Sequence, residues 1–328
     1  MTKKRILSGM RPTGRLHLGN YVGALENWIK LQDQYQNYHL VADYHVLTTD
    51  LSTNDIYNNT IEMVTDWLAA GLDPEKSPMF RQSRIKQHAE LFLIFSMLIT
   101  KARLERNPTL KEQVRDLNIE NLVYGHLGYP VLQAADILLY KGELVPVGED
   151  QLPHIEITRE IARKFNAQYS PAQPVFPEPE GKITEFARLP GLDGSRMSKS
   201  VGNSVFLSDG PEIVSKKIRK AVTDPQKMRK NDPGRPEICL IFTYHKKFNP
   251  DDIDEIETNC RSGALGCVEC KTRCAAKINE FIAPILDRRR NLETNLDRVK
   301  DVLSDGEKKA TEVAEQTMEE VHFRMRLG

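Results

Sequence analysis

The sequence contains no cysteine before Cys239, has a formal net charge of zero and shows no internal repeat or low-complexity tract. It also lacks any apolar run close to the roughly 20 residues that span a bilayer. The basic first residues are followed by a polar, glycine-rich stretch instead of the apolar segment of a secretory signal. We therefore expect a cytosolic protein without a membrane partner. The balanced charge excludes a globally basic protein that binds nucleic acid by charge alone.

Length and patterning indicate two architectural parts. The chain has 328 residues, so two domains, or one large domain with an appendage, are expected. Short apolar runs alternate with helical patterns up to residue 204, which predicts a parallel sheet with helices on both faces. Beyond residue 206 the strand signals fade. We therefore predict a Rossmann-like α/β fold followed by a mostly helical part.

Apolar periodicity predicts the individual elements. Strands are expected at residues 5–10, 38–46, 78–82 and 144–147. Helices are expected at residues 18–31, 51–70, 91–101, 130–141, 151–165, 212–221, 251–258, 268–290 and 306–326.

The first candidate site is the turn at residues 10–20 (MRPTGRLHLGN), between the first strand and the first helix. Gly14 and Gly19 allow the backbone to approach a ligand, and the N-terminus of a helix attracts anions. His17 and Asn20 are then placed to bind phosphate oxygens. A plain strand–helix turn with a capping asparagine is the alternative interpretation.

The second candidate site is RMSKS at residues 196–200, which follows the glycine-containing run GLDGS. A lysine on a polar loop can reach a polyphosphate and neutralise the charge that develops on a leaving group. Lys199 is the natural candidate, and Arg196 can assist it. An ordinary surface loop is the alternative, although the position just after the last α/β element favours a ligand site.

Five cysteines are crowded into the second part of the chain. In a cytosolic protein such crowding favours a metal or cluster site over disulfides. Four thiolates suit tetrahedral zinc and an iron–sulfur cluster equally well, so the residues alone leave both open. A chance group of buried thiols is a further alternative. The five are Cys239, Cys260, Cys267, Cys270 and Cys274.

Positive charge is concentrated between residues 211 and 250, where ten Lys or Arg face four Asp or Glu, a local charge of +6. Such a cluster indicates either a solvated helix face or a surface that binds phosphates.

HLGN at residues 17–20 and RMSKS at residues 196–200 resemble the two nucleotide-binding motifs of class I aminoacyl-tRNA synthetases, in order, spacing and context. Within that class, residues 8–28, 129–140, 145–162 and 317–321 resemble the corresponding segments of tryptophanyl-tRNA synthetases. The similarity covers essentially the whole chain. It implies that L-tryptophan is activated with ATP and Mg²⁺ and transferred to tRNA(Trp), by a homodimer.

The resemblance also implies roles for individual residues at the nucleotide. His17, Asn20, Arg196 and Lys199 form the expected catalytic group, which acts by positioning and electrostatics. The first motif is expected to bind the phosphates and ribose of ATP through Arg11, His17, Gly19 and Asn20. The loop is expected to bind the departing pyrophosphate through Arg196, Met197, Ser198, Lys199 and Ser200. Adenine and ribose are expected to lie against Gly148, Asp150 and Gln151.

For the amino acid, the resemblance implies that Asp136 accepts the indole N–H. The assignment has a physical logic, because an ionised carboxylate only accepts hydrogen bonds and an indole nitrogen only donates them. A phenylalanine substrate would leave this acceptor unpaired, which costs much more selectivity than a missing methylene. An aspartate that is satisfied within the protein is the alternative interpretation.

Five further residues are expected around the tryptophan. Tyr129 and Gln151 resemble the residues that hold the α-ammonium group. His45, in the predicted second strand, is expected to line the pocket, although a packed histidine is the alternative. Gln133 and Leu7 are expected at the indole, where bacterial members of the family commonly have methionine and phenylalanine.

A subset of tryptophanyl-tRNA synthetases carries a [4Fe–4S] cluster in the anticodon domain, and this chain resembles that subset. The resemblance implies a cluster on Cys239, Cys260, Cys267 and Cys270, with Zn²⁺ as the alternative and Cys274 open as a replacement for Cys239. We hypothesise that the cluster is structural and holds the loop at residues 261–268 beside the basic segment.

The resemblance also divides the chain into three expected parts. Residues 1–204 are expected to form the catalytic domain, and residues 205–304 a helical anticodon-binding domain. Residues 305–328 are expected to form a helix that packs back on the catalytic domain.

Three other functions stay open from the sequence. The first is a related adenylating enzyme such as a tyrosine-specific ligase. The second is a non-catalytic paralogue that binds tRNA or tryptophan. The third is an iron–sulfur protein with a generic nucleotide-binding half.

Overall fold

The computed structural model describes residues 3–116, 119–183 and 189–327. Its centre is a sheet of five parallel strands in the order β3-β2-β1-β4-β5. This arrangement, with the helices around it and the helical second part, confirms the predicted fold class. The strands are β1 (Arg5–Met10), β2 (Gln36–Val41), β3 (Met79–Arg81), β4 (Leu144–Val147) and β5 (Glu180–Ile183).

Helices connect the strands and cover the sheet. A π-helical segment (Tyr21–Leu25) joins the first two helices without a break. The helices of this part are α1 (Leu18–Asn20), α2 (Glu26–Leu31), α3 (Asp43–Leu47), α4 (Ile56–Ala70), α5 (Gln87–Ser96), α6 (Lys101–Glu105), α7 (Pro108–Asp116), α8 (Tyr124–Leu127), α9 (Tyr129–Leu139) and α10 (Leu152–Tyr169), with 3₁₀ turns at Gln82–Arg84 and Glu149–Gln151.

The described residues after β5 form helices and loops. Helix α14 packs on α4, α11 and α12, and α15 packs on β3, α4, α5 and α9. The helices are α11 (Pro211–Lys220), α12 (Leu240–Phe248), α13 (Ile253–Arg261), α14 (Cys267–Glu293) and α15 (Leu296–Met325), with 3₁₀ turns at Pro236–Ile238 and Pro250–Asp252. The proposed division at residues 204 and 304 stays a prediction.

The strand predicted at residues 38–46 is wrong in its second half. The second strand ends at Val41, and His45 lies on α3. The reason is Asp43, whose Oδ1 accepts hydrogen bonds from the backbone N–H groups of Tyr44 at 3.1 Å and Ser83 at 2.9 Å. These bonds turn the chain into a helix at the point where the apolar pattern continues.

Other element boundaries also differ from the predictions. Helix α4 begins at Ile56 instead of residue 51, the helix predicted at 91–101 spans Gln87–Ser96, and α15 begins ten residues before residue 306. Strand β5 and helices α6, α7, α8 and α12 were not predicted. Their segments are short or mix polar with apolar residues, so periodicity gives them little signal.

The sheet reverses its strand order at β1, because the chain leaves β1 for β2 on one side and later returns to β4 on the other. In open parallel sheets, ligands bind at the carboxyl ends of the strands beside such a reversal. Among the described helices, none is long and apolar enough to cross a membrane.

Candidate active site

Two adjoining cavities open beside the carboxyl ends of β1 and β4. The smaller has a volume of about 240 Å³ and the larger about 570 Å³. Gly23, Ala24 and Gly148 line both cavities. Because these shared residues carry at most a methyl side chain, a group bound in the smaller cavity can reach one bound in the larger cavity.

The smaller cavity gathers all the residues expected around the amino acid. Its wall combines the apolar residues of β1 and β4 with polar side chains from α3 and α9. Arg11, expected at the nucleotide, also lies here, and its Nη2 donates to the carbonyl of Val46 at 3.4 Å. The expected residues in this wall are Leu7, Arg11, His45, Tyr129, Gln133, Asp136, Gly148 and Gln151.

Asp136 is buried on α9 and lies at the centre of a polar network. Its Oδ2 is 2.8 Å from His45 Nε2, and its Oδ1 is 2.7 Å from Gln82 Nε2 and 2.6 Å from His88 Nδ1. Burial raises the pKa of the Asp136 carboxyl, but the hydrogen bonds from the two histidines and their favourable electrostatics outweigh burial, so the pKa lies below its ordinary value. The carboxylate is therefore ionised and acts as an acceptor.

Two more acceptors in this wall have no partner within the described structure. They are His45 Nδ1 and Gln133 Oε1, both buried atoms without a hydrogen bond. A buried polar atom without a partner is costly, so such atoms indicate a missing ligand or water. The ring of Tyr129 meets that of His45 edge-on at 4.5 Å, and burial raises the pKa of the Tyr129 hydroxyl.

The larger cavity is built around the first motif. The Nδ1 of His17 accepts a hydrogen bond from the Asn20 N–H at 3.1 Å, and Asn20 Oδ1 accepts one from the His17 N–H at 3.2 Å. Burial and the charges of Lys199 and Arg196 lower the pKa of His17 to about 4. The imidazole is therefore neutral at pH 7, and its proton is on Nε2. His17, Gly19, Asn20, Gly148 and Asp150 all line this cavity.

The RMSKS loop meets the first motif directly. Met197 Sδ lies 3.3 Å from the Gly19 N–H, and Lys199 Nζ donates to the carbonyl of Thr13 at 2.6 Å. Burial lowers the pKa of Lys199 to about 8. The two motifs, about 180 residues apart in the sequence, thus form one site. Arg196 and Met197 line the larger cavity; Ser198, Lys199 and Ser200 adjoin it without lining it.

Asn203 organises this loop. The sequence patterns did not indicate this residue. Its Nδ2 donates to Asp193 Oδ1 at 2.8 Å, and its Oδ1 accepts from the Ser198 N–H, also at 2.8 Å. It also donates to the Arg196 carbonyl at 3.0 Å. Ser198 and Ser200 bond to each other through their hydroxyls at 2.9 Å. Polarity alone gave no signal, because asparagine is ordinary in a loop.

A second missed group supports the first motif from behind. The Asp66 carboxylate on α4 accepts a hydrogen bond from the Leu16 N–H at 2.6 Å and an ion pair from Arg289 on α14. Both charged side chains are at most 1% exposed. Arg289 also pairs with Glu62 and with Glu293. The second part of the chain therefore holds the backbone of the turn that carries His17.

The cysteines lie in one region, but the described residues do not form the coordination shell of a metal. Burial and the neighbouring thiols of Cys239, Cys260 and Cys267 raise the pKa of Cys270 to about 12, and the same kinds of influence raise that of Cys260. All five cysteines are free. Across residues 3–116, 119–183 and 189–327, no group of three or more His, Cys, Asp or Glu has the arrangement of a metal site.

Comparisons with known proteins agree over the full length of the chain. The family described as tRNA synthetases class I (W and Y) matches residues 2–283. The tryptophan–tRNA ligase of Thermotoga maritima is 48% identical over 98% of this chain and 99% of its own length. That of Aquifex aeolicus is 45% identical over 98% of this chain and 100% of its own length.

Solved structures give the same result. The tryptophanyl-tRNA synthetase of Campylobacter jejuni, complexed with ADP and tryptophan, aligns with a TM-score of 0.86 and 31% identity, over 98% of this chain and 99% of that chain. The corresponding protein of Mycoplasma pneumoniae aligns with a TM-score of 0.82 and 27% identity, over 100% of this chain and 99% of that chain.

Proposed function

The chain belongs to the class I tRNA synthetases of the tryptophan and tyrosine family, and we infer that it activates L-tryptophan with ATP and transfers the tryptophanyl group to tRNA(Trp). The structural observation that carries this inference is the ionised, buried Asp136 in a cavity of about 240 Å³. That cavity adjoins a larger one built from both nucleotide motifs. Since tRNA is charged where ribosomes use it, we propose a cytoplasmic location.

The chemistry follows from the shared wall of the two cavities. The tryptophan carboxylate attacks the α-phosphorus of ATP, so a carboxyl–phosphate bond forms and the bond to the leaving pyrophosphate breaks. A ribose hydroxyl of tRNA then attacks the activated carbonyl and releases AMP. The protein supplies positioning and electrostatics instead of a nucleophile. Mg²⁺ bound by the phosphates would offset their charge.

At the nucleotide, we assign roles by charge and donor geometry. The neutral His17 presents its Nε2–H as a donor, since Nδ1 is occupied by the Asn20 N–H. We assign Lys199 and Arg196, the two cations of the RMSKS loop, to the leaving pyrophosphate. In the free protein, the Lys199 ammonium is bound to the Thr13 carbonyl, and we propose that it moves to pyrophosphate oxygens when ATP binds.

At the amino acid, the acceptor-only Asp136 favours a side chain that carries a donor over phenyl. A phenylalanine side chain would leave the buried carboxylate without its last partner, which is costly. A phenol also carries a donor, so the choice of indole over phenol rests on the similarity to tryptophan–tRNA ligases. We assign the α-ammonium group to Tyr129 and Gln151, and the remaining wall to Leu7, Gln133 and His45. The unpartnered Gln133 Oε1 supports a donor on the ligand.

We also propose that Cys239, Cys260, Cys267 and Cys270 hold a [4Fe–4S] cluster, with Zn²⁺ as the alternative. The donor set fits either group, and the mutual influence of the thiols on their pKa values indicates that they lie close together. The thiols would have to draw inward around the metal. Lys227, which is buried and faces Cys260, would offset the negative charge of the thiolates.

Iron, sulfide and zinc analysis of protein purified without oxygen tests the cluster. We expect Cys267→Ser to lose metal, and Cys274→Ala to keep it, because Cys274 is the spare thiol. Retention of metal in Cys267→Ser together with loss in Cys274→Ala would reassign the ligand set. Absence of iron and zinc in the wild-type protein would leave the thiols as a packed group.

For tRNA, we propose the basic segment as the binding surface and the anticodon as its target. The exposed side chains of Lys216, Arg219 and Lys220 lie on α11, and Lys230 packs against Gly266, next to Cys267. The loop at residues 261–268 and the basic segment at residues 211–250 are therefore neighbours.

For the homodimer, we propose that a second copy packs on the exposed apolar side chains of Leu93, Met97, Val123 and Tyr124.

ATP–pyrophosphate exchange with a panel of amino acids tests the function. We expect exchange with tryptophan and not with tyrosine, followed by charging of tRNA(Trp). Exchange with tyrosine alone would identify a tyrosine-specific ligase. ATP binding without exchange for any amino acid would identify a non-catalytic paralogue.

A further inference from the structure

The Asp136 carboxylate has roughly four acceptor positions, two on each oxygen. The protein fills three: Gln82 and His88 donate to Oδ1, and His45 donates to Oδ2. The position that remains is therefore on Oδ2. Asp136 and His45 both line the smaller cavity, so this last position is the one open to an indole N–H.

The orientation of Gln82 is fixed from both ends. Its Oε1 accepts a hydrogen bond from the Tyr44 N–H at 3.2 Å, and its Nε2 donates to Asp136 at 2.7 Å. A flipped amide would place a carbonyl oxygen against the carboxylate and an amino group against a backbone N–H. The side chain is fully buried, so water cannot compensate either loss.

The tautomer of His88 is set by Asp136 and Tyr140 together. The Tyr140 hydroxyl lies 3.0 Å from His88 Nε2, and burial raises the pKa of this hydroxyl well above its ordinary value. The ionised Asp136 carboxylate only accepts, so the ring proton of His88 is on Nδ1, which donates to it at 2.6 Å. The Nε2 of this neutral ring is then an acceptor, and the Tyr140 hydroxyl, which keeps its proton, donates to it.

We propose that His88 and Tyr140 are positioning residues that determine selectivity for indole, although both lie outside the cavity wall. The Tyr140 hydroxyl satisfies Nε2 in the His88 tautomer that donates to Asp136, and His88 then holds Asp136 with one acceptor turned to the ligand. Without the hydroxyl, the Nε2 lone pair is buried without a donor, which destabilises this tautomer. In the other tautomer, a lone pair on Nδ1 faces the carboxylate and displaces it. This inference rests on the proposed tryptophan site and explains how its acceptor is held.

The decisive variant is Tyr140→Phe, which keeps the ring stacked on Tyr38 at 5.2 Å and beside Phe80 at 5.0 Å. The measurement is kcat and KM in ATP–pyrophosphate exchange for tryptophan and for 3-benzothienylalanine, a near-isostere with sulfur in place of the N–H. We expect the preference for tryptophan to fall by about tenfold or more, through KM for tryptophan, with KM for ATP unchanged.

The matched control is Tyr38→Phe. It removes the hydroxyl that accepts from Gln36 Nε2 at 3.0 Å, in the same aromatic stack but away from His88. We expect this variant to keep the wild-type preference. An equal loss in both variants would make the effect one of packing and would overturn the proposal.

The conservative variant His88→Asn provides a rescue. Its amide nitrogen takes the place of Nδ1 and donates to Asp136 without help from Tyr140. We expect His88→Asn to keep most of the preference, and Tyr140→Phe to have no further effect in that background. A full additional loss in the double variant would contradict the tautomer mechanism.

Asp136→Asn separates this inference from the function on which it rests. If Asp136→Asn loses the preference for tryptophan while Tyr140→Phe keeps it, only the role of Tyr140 and His88 fails. If Asp136→Asn keeps the preference, the carboxylate is not the indole acceptor and the proposed tryptophan site fails as well.

Discussion

The two cavities share a wall but hold their polar groups differently. In the smaller cavity, the key carboxylate is buried and receives three hydrogen bonds from side chains of the α/β part. Beside the larger cavity, the key ammonium of Lys199 is held by Thr13 in the first motif, and Arg196, which lines that cavity, is exposed. The protein fixes the acceptor of the first site before the ligand binds, whereas the second site exchanges protein contacts for ligand contacts.

The difference matches the two tasks. Selectivity between similar side chains requires an acceptor whose desolvation is already offset and whose direction is fixed. Release of pyrophosphate requires a cation that binds charge during the reaction and lets it go afterwards. A site that is rigid in one half and exchangeable in the other satisfies both requirements.

The largest expected effect is in the exchangeable half. Lys199→Ala is expected to lower kcat for ATP–pyrophosphate exchange by about 100-fold or more, because it removes a cation from the developing charge. KM for tryptophan should change little, since Lys199 lies outside the smaller cavity. Steady-state exchange kinetics measure both values. An increase in KM for tryptophan as large as the loss in kcat would contradict the separation of the two sites.

The pH dependence of ATP use tests the difference between the two cavities further. Burial lowers the pKa of Lys199 to about 8, so the ammonium of the free protein loses its proton as the pH rises through that value. We expect kcat/KM for ATP to decline above it. Lys199→Arg keeps its charge, so its profile should be flat over the same range. A decline that persists in Lys199→Arg would assign the titration to another group.

In the rigid half, Asp136→Asn is expected to lower kcat/KM for tryptophan by roughly 10- to 100-fold, because the asparagine amide has only one accepting oxygen and its amino group faces a protein donor. The loss should be mainly in KM, as tryptophan and its transition state use the same indole contact. Isothermal titration with tryptophan checks the affinity directly. Unchanged affinity would show that the indole lies elsewhere.

Arg289→Met tests whether the second part of the chain supports the nucleotide turn. It leaves the Asp66 carboxylate buried without its cation, which costs about 3–5 kcal/mol. We expect a lower melting temperature and a higher KM for ATP, with KM for tryptophan nearly unchanged. The matched control is Arg288→Met, since the neighbouring Arg288 bonds only to the Ala69 carbonyl in the described contacts, at 2.5 Å. An equal increase in KM for ATP in Arg288→Met would show that Arg289 acts only through packing.

The most gradual expected effect is a loss of stability in acid. His39 is fully buried, stacks on Trp28 at 4.5 Å and has both ring nitrogens without partners, and burial lowers its pKa to about 3. The unfolded chain therefore binds a proton that the folded chain does not. Stability should fall as the pH drops below the ordinary histidine value of about 6.5, by up to about 1.4 kcal/mol per pH unit.

Urea unfolding at several pH values measures this slope, and His39→Gln should reduce it. His17 and His154, whose pKa values are lowered to about 4, keep part of the slope in that variant. An unchanged slope in His39→Gln would assign the acid sensitivity to groups other than His39.

Local sequence patterns predicted the parts of this molecule whose conformation depends on neighbouring residues in the chain. The strand–turn–helix around His17 and the apolar α9 with its single Asp136 followed from spacing and charge. The end of β2 did not, because Asp43 ends the strand through a bond to Ser83, about 40 residues away. Likewise, β5 is only four residues long, and its pairing with β4 is a property of the sheet.

The supporting residues show the same limit. Asp66 and Arg289 are 223 positions apart, and each is ordinary in its own helix. Gln82 and His88 reach Asp136 from 54 and 48 positions away. No spacing rule connects such residues. The family resemblance identified Asp136 and His45 but gave no indication of Gln82 or His88.

For protein engineering, the hydrogen bonds around Asp136 mean that it must be redesigned together with the residues that donate to it. A variant meant to accept an amino acid without an N–H cannot change the carboxylate alone, because the donors of Gln82, His88 and His45 would then point at an apolar atom. Each orphaned donor would cost about 1–3 kcal/mol. A library that varies these four positions together, with Tyr140 included, therefore has a much better chance of yielding a folded enzyme with a new substrate than saturation at position 136.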